Sequence, residues 1–344
     1  MTNLGVTVAD MTVGILLYAD DIILLADCEK DLQNMLNIVA DWCLKWRLAV
    51  NNDKTQIVHF RKPSVKRSLF PFMFGTTVLI YTKTYKYLGL TLDEHMNFKE
   101  GIQVLSDSAG RALGSVLNKV KACKDLGYHT YTQLFQSCVC PVSDYASGVW
   151  GFRENVSSNA IQNRAIRSFL GVHKLTPILA ISGDMGWMPV NIRHKGEMLR
   201  LWNRLVKMPD DRLTKKIFNW DISNGYPWAN EVKSLFFNNN SSFIYLNRLS
   251  CNVSDMQNYM FLKYKESWSV DLWGKPKLRT YRLIKKDYSP EPYVMQNVSK
   301  SQRSLCAQLH SGTLPLALET GRFIGISEED RVCLLCDLEE IESV

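Results

Sequence analysis

Residues 14–27 read G-I-L-L-Y-A-D-D-I-I-L-L-A-D. Two apolar runs, residues 15–17 and 22–25, flank the polar pair Asp20-Asp21. Each run is short, bounded by polar or turn residues and rich in β-formers, which predicts two buried strands. The tight polar centre predicts a hairpin with both carboxylates at its tip. No lysine or arginine precedes Lys30, so no sequence neighbour neutralises the pair. Adjacent unpaired carboxylates on an apolar hairpin are costly unless a cation sits between them, and a divalent metal ion suits that place. Aspartate is also a good turn residue, so the D-D pair alone reads equally well as a polar turn.

The chain of 344 residues, 46% of them hydrophobic, has room for two or three globular domains. No apolar run is long enough for a transmembrane helix, and the N-terminus lacks the basic start of a secretory signal. Nine cysteines without framework spacing suit a reducing compartment, so an intracellular setting, nucleus or cytoplasm, is expected. The net charge is +7, yet residues 1–29 hold five acids and no bases. A basic body around a small acidic centre suits phosphate contact and metal binding, although mildly basic proteins often touch no nucleic acid.

Residues 1–13 read as the segment entering the hairpin. Residues 29–46 carry Leu32, Met35, Leu36, Val39, Ala40, Trp42, Cys43 and Trp46 at helical spacing, an amphipathic helix. Asn51-Asn52-Asp53 makes a turn before an alternating strand at 55–60. The basic loop 61–67 (R-K-P-S-V-K-R) reads as a phosphate contact or a solvated linker. Short β-like runs at 77–80 and 85–93 end in Y-K-Y-L-G-L-T-L-D. From residue 98 the period is helical: 99–122 with Ile102, Leu105, Ala109, Leu113, Val116, Leu117 and Val120 on one face, then 128–149 and 159–170.

The tetrad Y-A-D-D (Tyr18, Ala19, Asp20, Asp21) between apolar runs resembles the active-site hairpin of reverse transcriptases, whose palm carries Y-x-D-D. Asn51, Lys54 and Thr55 match the N-x-x-K-T element of that family, and Tyr87-Leu88-Gly89 resembles its primer-gripping Y-L-G hairpin. Residues 176–204, with a core of Gly183, Asp184, Gly186, Trp187 and Pro189 (G-D-x-G-W-x-P), look like the segment after the thumb in retrotransposons without long terminal repeats. That core suggests no chemistry and is expected to be structural. Cys333 and Cys336 have the spacing of half a zinc site and resemble the start of a zinc knuckle. No Cys or His follows Cys336, so tight zinc binding is not expected.

The resemblance implies an α+β chain: a partial palm of antiparallel strands with a packed helix (1–95), a thumb-like helical bundle (96–172) and a post-thumb connection (173–218). A helical or linker region (219–330) and the knuckle start (331–344) follow. Within 264–288, interleaved aromatics and bases suit nucleic-acid stacking, but an ordinary amphipathic helix explains them slightly better. The family extends DNA on an RNA template from a DNA primer and dNTPs with two Mg2+ ions. By that resemblance Asp20 and Asp21 hold metal, Lys54 acts on the departing pyrophosphate, and Tyr18, Ala19, Asn51, Tyr87, Leu88 and Gly89 contact substrate. The family also needs an earlier palm aspartate and fingers, so this chain is expected to be inactive alone. The competing expectations are a non-catalytic nucleic-acid-binding remnant and, more remotely, a metal-dependent glycosyltransferase.

Overall fold

The computed structural model describes residues 4–314, 316, 325–327 and 330–332; Cys333 and Cys336 lie outside them. The chain divides into two compact units. Unit 1 comprises Met1–Val104, Trp202–Phe236 and Phe243–Ser250; unit 2 comprises Leu105–Leu201, Phe237–Ser242 and Cys251–Val344. The fold is α+β, with every strand in unit 1 among the described residues. No helix among those residues is long and apolar enough to cross a membrane.

In unit 1 the strands form five two-stranded sheets. The segment entering the Y-A-D-D hairpin is itself a hairpin of β1 (Val6–Val8) and β2 (Met11–Val13). β3 (Ile15–Tyr18) pairs antiparallel with β4 (Asp21–Leu24). β5 (Gln56–Ile57) pairs with β8 (Ile80–Tyr81) in parallel, and β6 (Met73–Phe74) with β7 (Thr77–Val78) antiparallel. The parallel pair departs from the all-antiparallel expectation. Two parallel strands need a long crossover, which residues 58–79 supply. The expected strand at 55–60 shrinks to two residues. β9 (Thr84–Tyr87) and β10 (Leu90–Asp93) close the strand region as a tight hairpin.

Helix α1 (Glu29–Lys45) has Glu29 and Asp31 in its first turn and Lys45 in its last, which complements its dipole. It buries Met35, Leu36, Val39 and Cys43, whereas Trp42 and Trp46 on its flank stay half or more exposed. Leu32 and Leu36 of α1 join Leu24, Ile57, Phe72, Leu79 and Tyr81 in one small core. That core covers only the base of the β3–β4 hairpin. Leu17 is 66% and Ile22 42% exposed, so the buried strands expected from the apolar runs are not buried. Each run has two faces, and the described residues cover little of either.

Helix α2 (Lys99–Ala122) begins at β10, where a Cβ on Gly101 would lie 2.4 Å from the Thr91 carbonyl oxygen. Its apolar face enters unit 2, where Ala109, Leu113 and Val116 meet Tyr128, Tyr131 and Phe135. The latter three lie in α3 (Tyr128–Leu134) and a π-helical stretch, Phe135–Val139, that runs into α4 (Cys140–Ser143). After α5 (Ser147–Trp150), α6 (Val156–Leu170) adds Ala165, Ile166, Phe169 and Leu170 to the same core.

The G-D-x-G-W-x-P segment ends α7 (Ile178–Met185) and precedes α8 (Val190–Lys207), and it is the hub of unit 2. Asp184, 1% exposed, accepts hydrogen bonds from Tyr281 Oη at 2.9 Å and Tyr293 Oη at 2.6 Å. Burial, reinforced by that carboxylate, pushes both phenols far above their usual range. A Cβ on Gly183 would meet Trp268 and Tyr281 at 2.5 Å, so this position takes no side chain. Trp187 stacks on Phe135 with ring centroids 4.6 Å apart, and its carbonyl accepts from Tyr288 Oη at 2.8 Å. The segment is structural, as its sequence suggested.

The remaining helices are α9 (Leu213–Asn224), α10 (Pro227–Phe237), α11 (Ser242–Leu246), α12 (Val253–Trp273), α13 (Arg279–Ile284), α14 (Pro292–Met295) and α15 (Lys300–His310). Residues 219–260 are therefore helical rather than linker. In unit 1 the fully buried Trp202 packs against Phe218, Phe236 and Tyr245. Buried Lys215 donates to the carbonyls of Leu205 and Val206 at the end of α8. In unit 2 Trp268, Tyr281 and Tyr288 are core residues, which removes them as stacking platforms for nucleic-acid bases.

Two outcomes test this packing. His310 Nδ1 lies 3.5 Å from the Asp184 carboxylate. Burial lowers the affinity of the imidazole for a proton, but Asp184 more than offsets this and raises its pKa above 6.5. A raised folded-state value gives stability that is complete below the unfolded value and lost as pH rises through the folded one. The melting temperature is expected to fall as pH is raised from 6 through 8, and His310→Gln should flatten that slope. The β9–β10 loop supplies the second test. Leu88 and Gly89 both have positive φ, +45° and +87°, the pattern that favours Asn-Gly. Leu88→Asn is expected to stabilise the chain by about 0.5–1 kcal/mol, and Gly89→Val to destabilise it by about 1–2 kcal/mol, in urea unfolding.

Candidate functional site

The β3–β4 register pairs Tyr18 with Asp21, Leu17 with Ile22 and Ile15 with Leu24. Ala19 and Asp20 are thus the whole loop. Ala19 takes φ +52°, the left-handed first position that tight hairpin turns require. Asp20 stands at the tip and Asp21 opens β4, so one carboxylate rather than two occupies the loop itself. Both side chains are exposed, as is Tyr18 at 61%. Among the described residues neither carboxylate makes an ion pair.

The base of this hairpin is set by close backbone contact. A Cβ on Gly14 would lie 2.4 Å from the Leu4 carbonyl oxygen and 3.0 Å from Met35 Cε. The Gly14 carbonyl accepts from Leu25 N at 2.8 Å, which extends the β3–β4 pairing toward α1. Glycine thus lets the junction between β2 and β3 pass close to the backbone beside β1.

Asn51 and Lys54 belong to one small turn. The Asn51 side chain accepts from Lys54 N at 3.2 Å and so caps the 3-10 turn Asn52–Lys54. That leaves the Asn51 side chain oxygen engaged in its own backbone, while the Lys54 side chain is exposed. Tyr85 Oη donates to the Lys54 carbonyl at 3.4 Å, which joins this turn to β9. Tyr87, Leu88 and Gly89 form the end of β9 and the two-residue loop after it. Among the described residues no hydrogen bond or ion pair links Asp20 or Asp21 to Asn51 or Lys54.

Glu94 was not singled out by the sequence, yet it anchors this region. Its carboxylate takes Arg67 Nε at 3.1 Å and lies 3.1 Å from Arg61 Nη2. The hydrogen bond from Arg67 and the charge of Arg61 outweigh desolvation and hold Glu94 below the usual carboxylate range. Two of the bases in the 61–67 loop are therefore committed to the protein, leaving Lys62 and Lys66 exposed. No spacing rule joins residues 61 and 67 to residue 94; the fold of the intervening strands does.

Carboxylate oxygens are the right donors for a hard cation such as Mg2+. Asp20 and Asp21 fit in kind. In number they fall short, since the described residues contain no group of three or more His, Cys, Asp or Glu placed to hold a metal ion.

The reverse transcriptase (RNA-dependent DNA polymerase) family model matches residues 3–92, the segment that contains all three motifs. Similar proteins include the "Probable RNA-directed DNA polymerase from transposon BS" of Drosophila melanogaster, 28% identical over 160 residues, 44% of this chain and 18% of that protein. The RNA-directed DNA polymerase from mobile element jockey of Drosophila funebris is 27% identical over 160 residues, 45% of this chain and 17% of that protein. The retrovirus-related Pol polyprotein from type-1 retrotransposable element R1 of Nasonia vitripennis is 26% identical over 201 residues, 53% and 58% of the two chains. The match thus spans less than a fifth of the length of the first two relatives. No solved structure matches the chain significantly. Residues 3–92 match the reverse transcriptase family model, and the chain is similar to RNA-directed DNA polymerases and a Pol polyprotein of transposable elements.

Proposed function

We propose that this chain is part of the RNA-directed DNA polymerase of a retrotransposon without long terminal repeats, and that its β3–β4 hairpin carries two of the metal-binding carboxylates. The observation that supports this best is the two-residue loop that leaves Asp20 and Asp21 exposed and, among the described residues, without a cationic partner. In this reading residues 1–95 are part of a palm, and the helices from residue 96 to 172 serve as a thumb. The substrates are an RNA template, a DNA primer and dNTPs.

Asp20 and Asp21 would hold Mg2+, whose chemistry here is to acidify the primer 3′-hydroxyl and neutralise triphosphate charge. Lys54, whose side chain is exposed, would meet phosphate, and Gly89 in the β9–β10 loop would let backbone approach the primer end. Among the described residues two carboxylates alone are too few for a two-metal centre, and on that count we read the chain alone as catalytically silent. Its activity depends on a further carboxylate brought by other palm residues.

A domain exchange tests the reading. Residues 3–92 replace the matched segment of the jockey polymerase, and primer extension on RNA is measured. Extension is expected, and Asp20→Asn in the chimera should reduce it by about a thousandfold or more, the order lost when charge stabilisation at the reacting phosphate is removed. Lys54→Ala should slow it less. An Asp20→Asn chimera that extends as well as its parent contradicts the proposal and favours a role limited to nucleic-acid binding.

A further inference from the structure

Unit 2 contains a cavity of about 420 Å³ at the meeting of α2, α6 and α15. Four cations line it: Lys121 from the end of α2, Lys124 just beyond it, Arg164 from α6, and Lys300, the first residue of α15. All four are exposed, and among the described residues none of them makes an ion pair. Asn118 and Ser168 add neutral hydrogen-bond donors to the same wall.

The one carboxylate in the lining is already neutralised. Asp125 accepts two hydrogen bonds from Arg303 Nη2, at 2.8 and 2.9 Å. Arg303 is 2% exposed, donates its Nε to the Phe169 carbonyl at 2.8 Å, and lies 4.0 Å over the Phe169 ring. The Arg303–Asp125 pair therefore forms a fixed, charge-balanced support, and the four rim cations face the cavity without a counter-charge. Solvated surface lysines usually spread out or pair with acids. Here bases on or beside three helices, far apart in sequence, surround one concavity.

We infer that this cavity binds a compact phosphate-bearing anion. Its phosphate oxygens take charge-assisted hydrogen bonds from Lys121, Lys124, Arg164 and Lys300, with Asn118 and Ser168 as supplementary donors. The volume, equal to roughly fourteen liquid waters, accommodates a short polyphosphate or a terminal phosphate cluster. The cavity belongs to unit 2 and the Asp20 hairpin to unit 1, and the inference does not depend on the polymerase reading.

The test is calorimetric titration of the full 344-residue chain with inorganic tripolyphosphate. Binding is expected, and Arg164→Ala and Lys300→Ala should each weaken it about tenfold, with Lys119→Ala, also on α2 but outside the cavity, as an unchanged control. Thermal melts of each variant confirm folding. Oligonucleotides bearing a 5′-triphosphate or a 5′-hydroxyl, used as competitors, identify the source of the phosphate. Selective displacement by the first assigns the site to a nucleic-acid end, and displacement by neither assigns it to free polyphosphate. Absence of tripolyphosphate binding at millimolar concentration overturns the inference, as does equal weakening by Lys119→Ala.

Discussion

A two-residue hairpin loop must accept a positive backbone φ, and in β3–β4 Ala19 bears it. An alanine in that conformation costs about 1–2 kcal/mol relative to ordinary backbone, so the surrounding pairing has to enforce it. Four paired positions from Ile15↔Leu24 to Tyr18↔Asp21 do so. The gain from this strain is position: Asp20 is held at the apex while Asp21 is fixed on the adjoining strand. The Gly14 junction and the core shared by Leu24, Leu36 and Ile57 then hold the base of this hairpin. The same device recurs at Leu88–Gly89, where a leucine and a glycine both take positive φ. Two of the three motifs that mark the family are thus loops built on strained backbone. The third, at Asn51–Lys54, is a turn capped by its own side chain.

Unit 2 rests on a different constraint, a carboxylate that must be satisfied once it is buried. Asp184 is met by two tyrosine hydroxyls and a histidine from three separate helices or their flanks. Leaving such a group without partners costs several kcal/mol, so α13, α14 and α15 are committed to α7 by polar need as well as by apolar packing. Glycines 183 and 186 allow that approach, since a Cβ at either would strike Trp268, Tyr281 or Pro290 at 2.5 Å.

What the sequence revealed follows from the range of the interactions involved. Helices α1, α2 and α6 were legible because apolar periodicity is local, the hairpin at 18–21 from its polar turn, and the one at 87–90 from the Y-L-G resemblance. The burial of β3–β4 was misread because apolar composition states a need for cover without showing what covers it. The parallel β5–β8 pair and the hairpin in residues 1–13 are settled by contacts between short segments with little pattern of their own. Glu94 with Arg61 and Arg67, and Asp184 with tyrosines 97 and 109 residues later, are pairings that only the folded chain brings together. For the candidate site, the residue types were readable, whereas the exposure of both side chains and the placing of a single carboxylate in the loop were not.

The central claim is that the Asp20 loop binds a divalent cation, and Mn2+ titration followed by nuclear magnetic resonance tests it most directly. Paramagnetic broadening should begin at the amides of residues 19–22 at millimolar Mn2+, be displaced by excess Mg2+, and vanish in Asp20→Asn. Broadening that starts elsewhere, or that persists at the hairpin in Asp20→Asn, would contradict it.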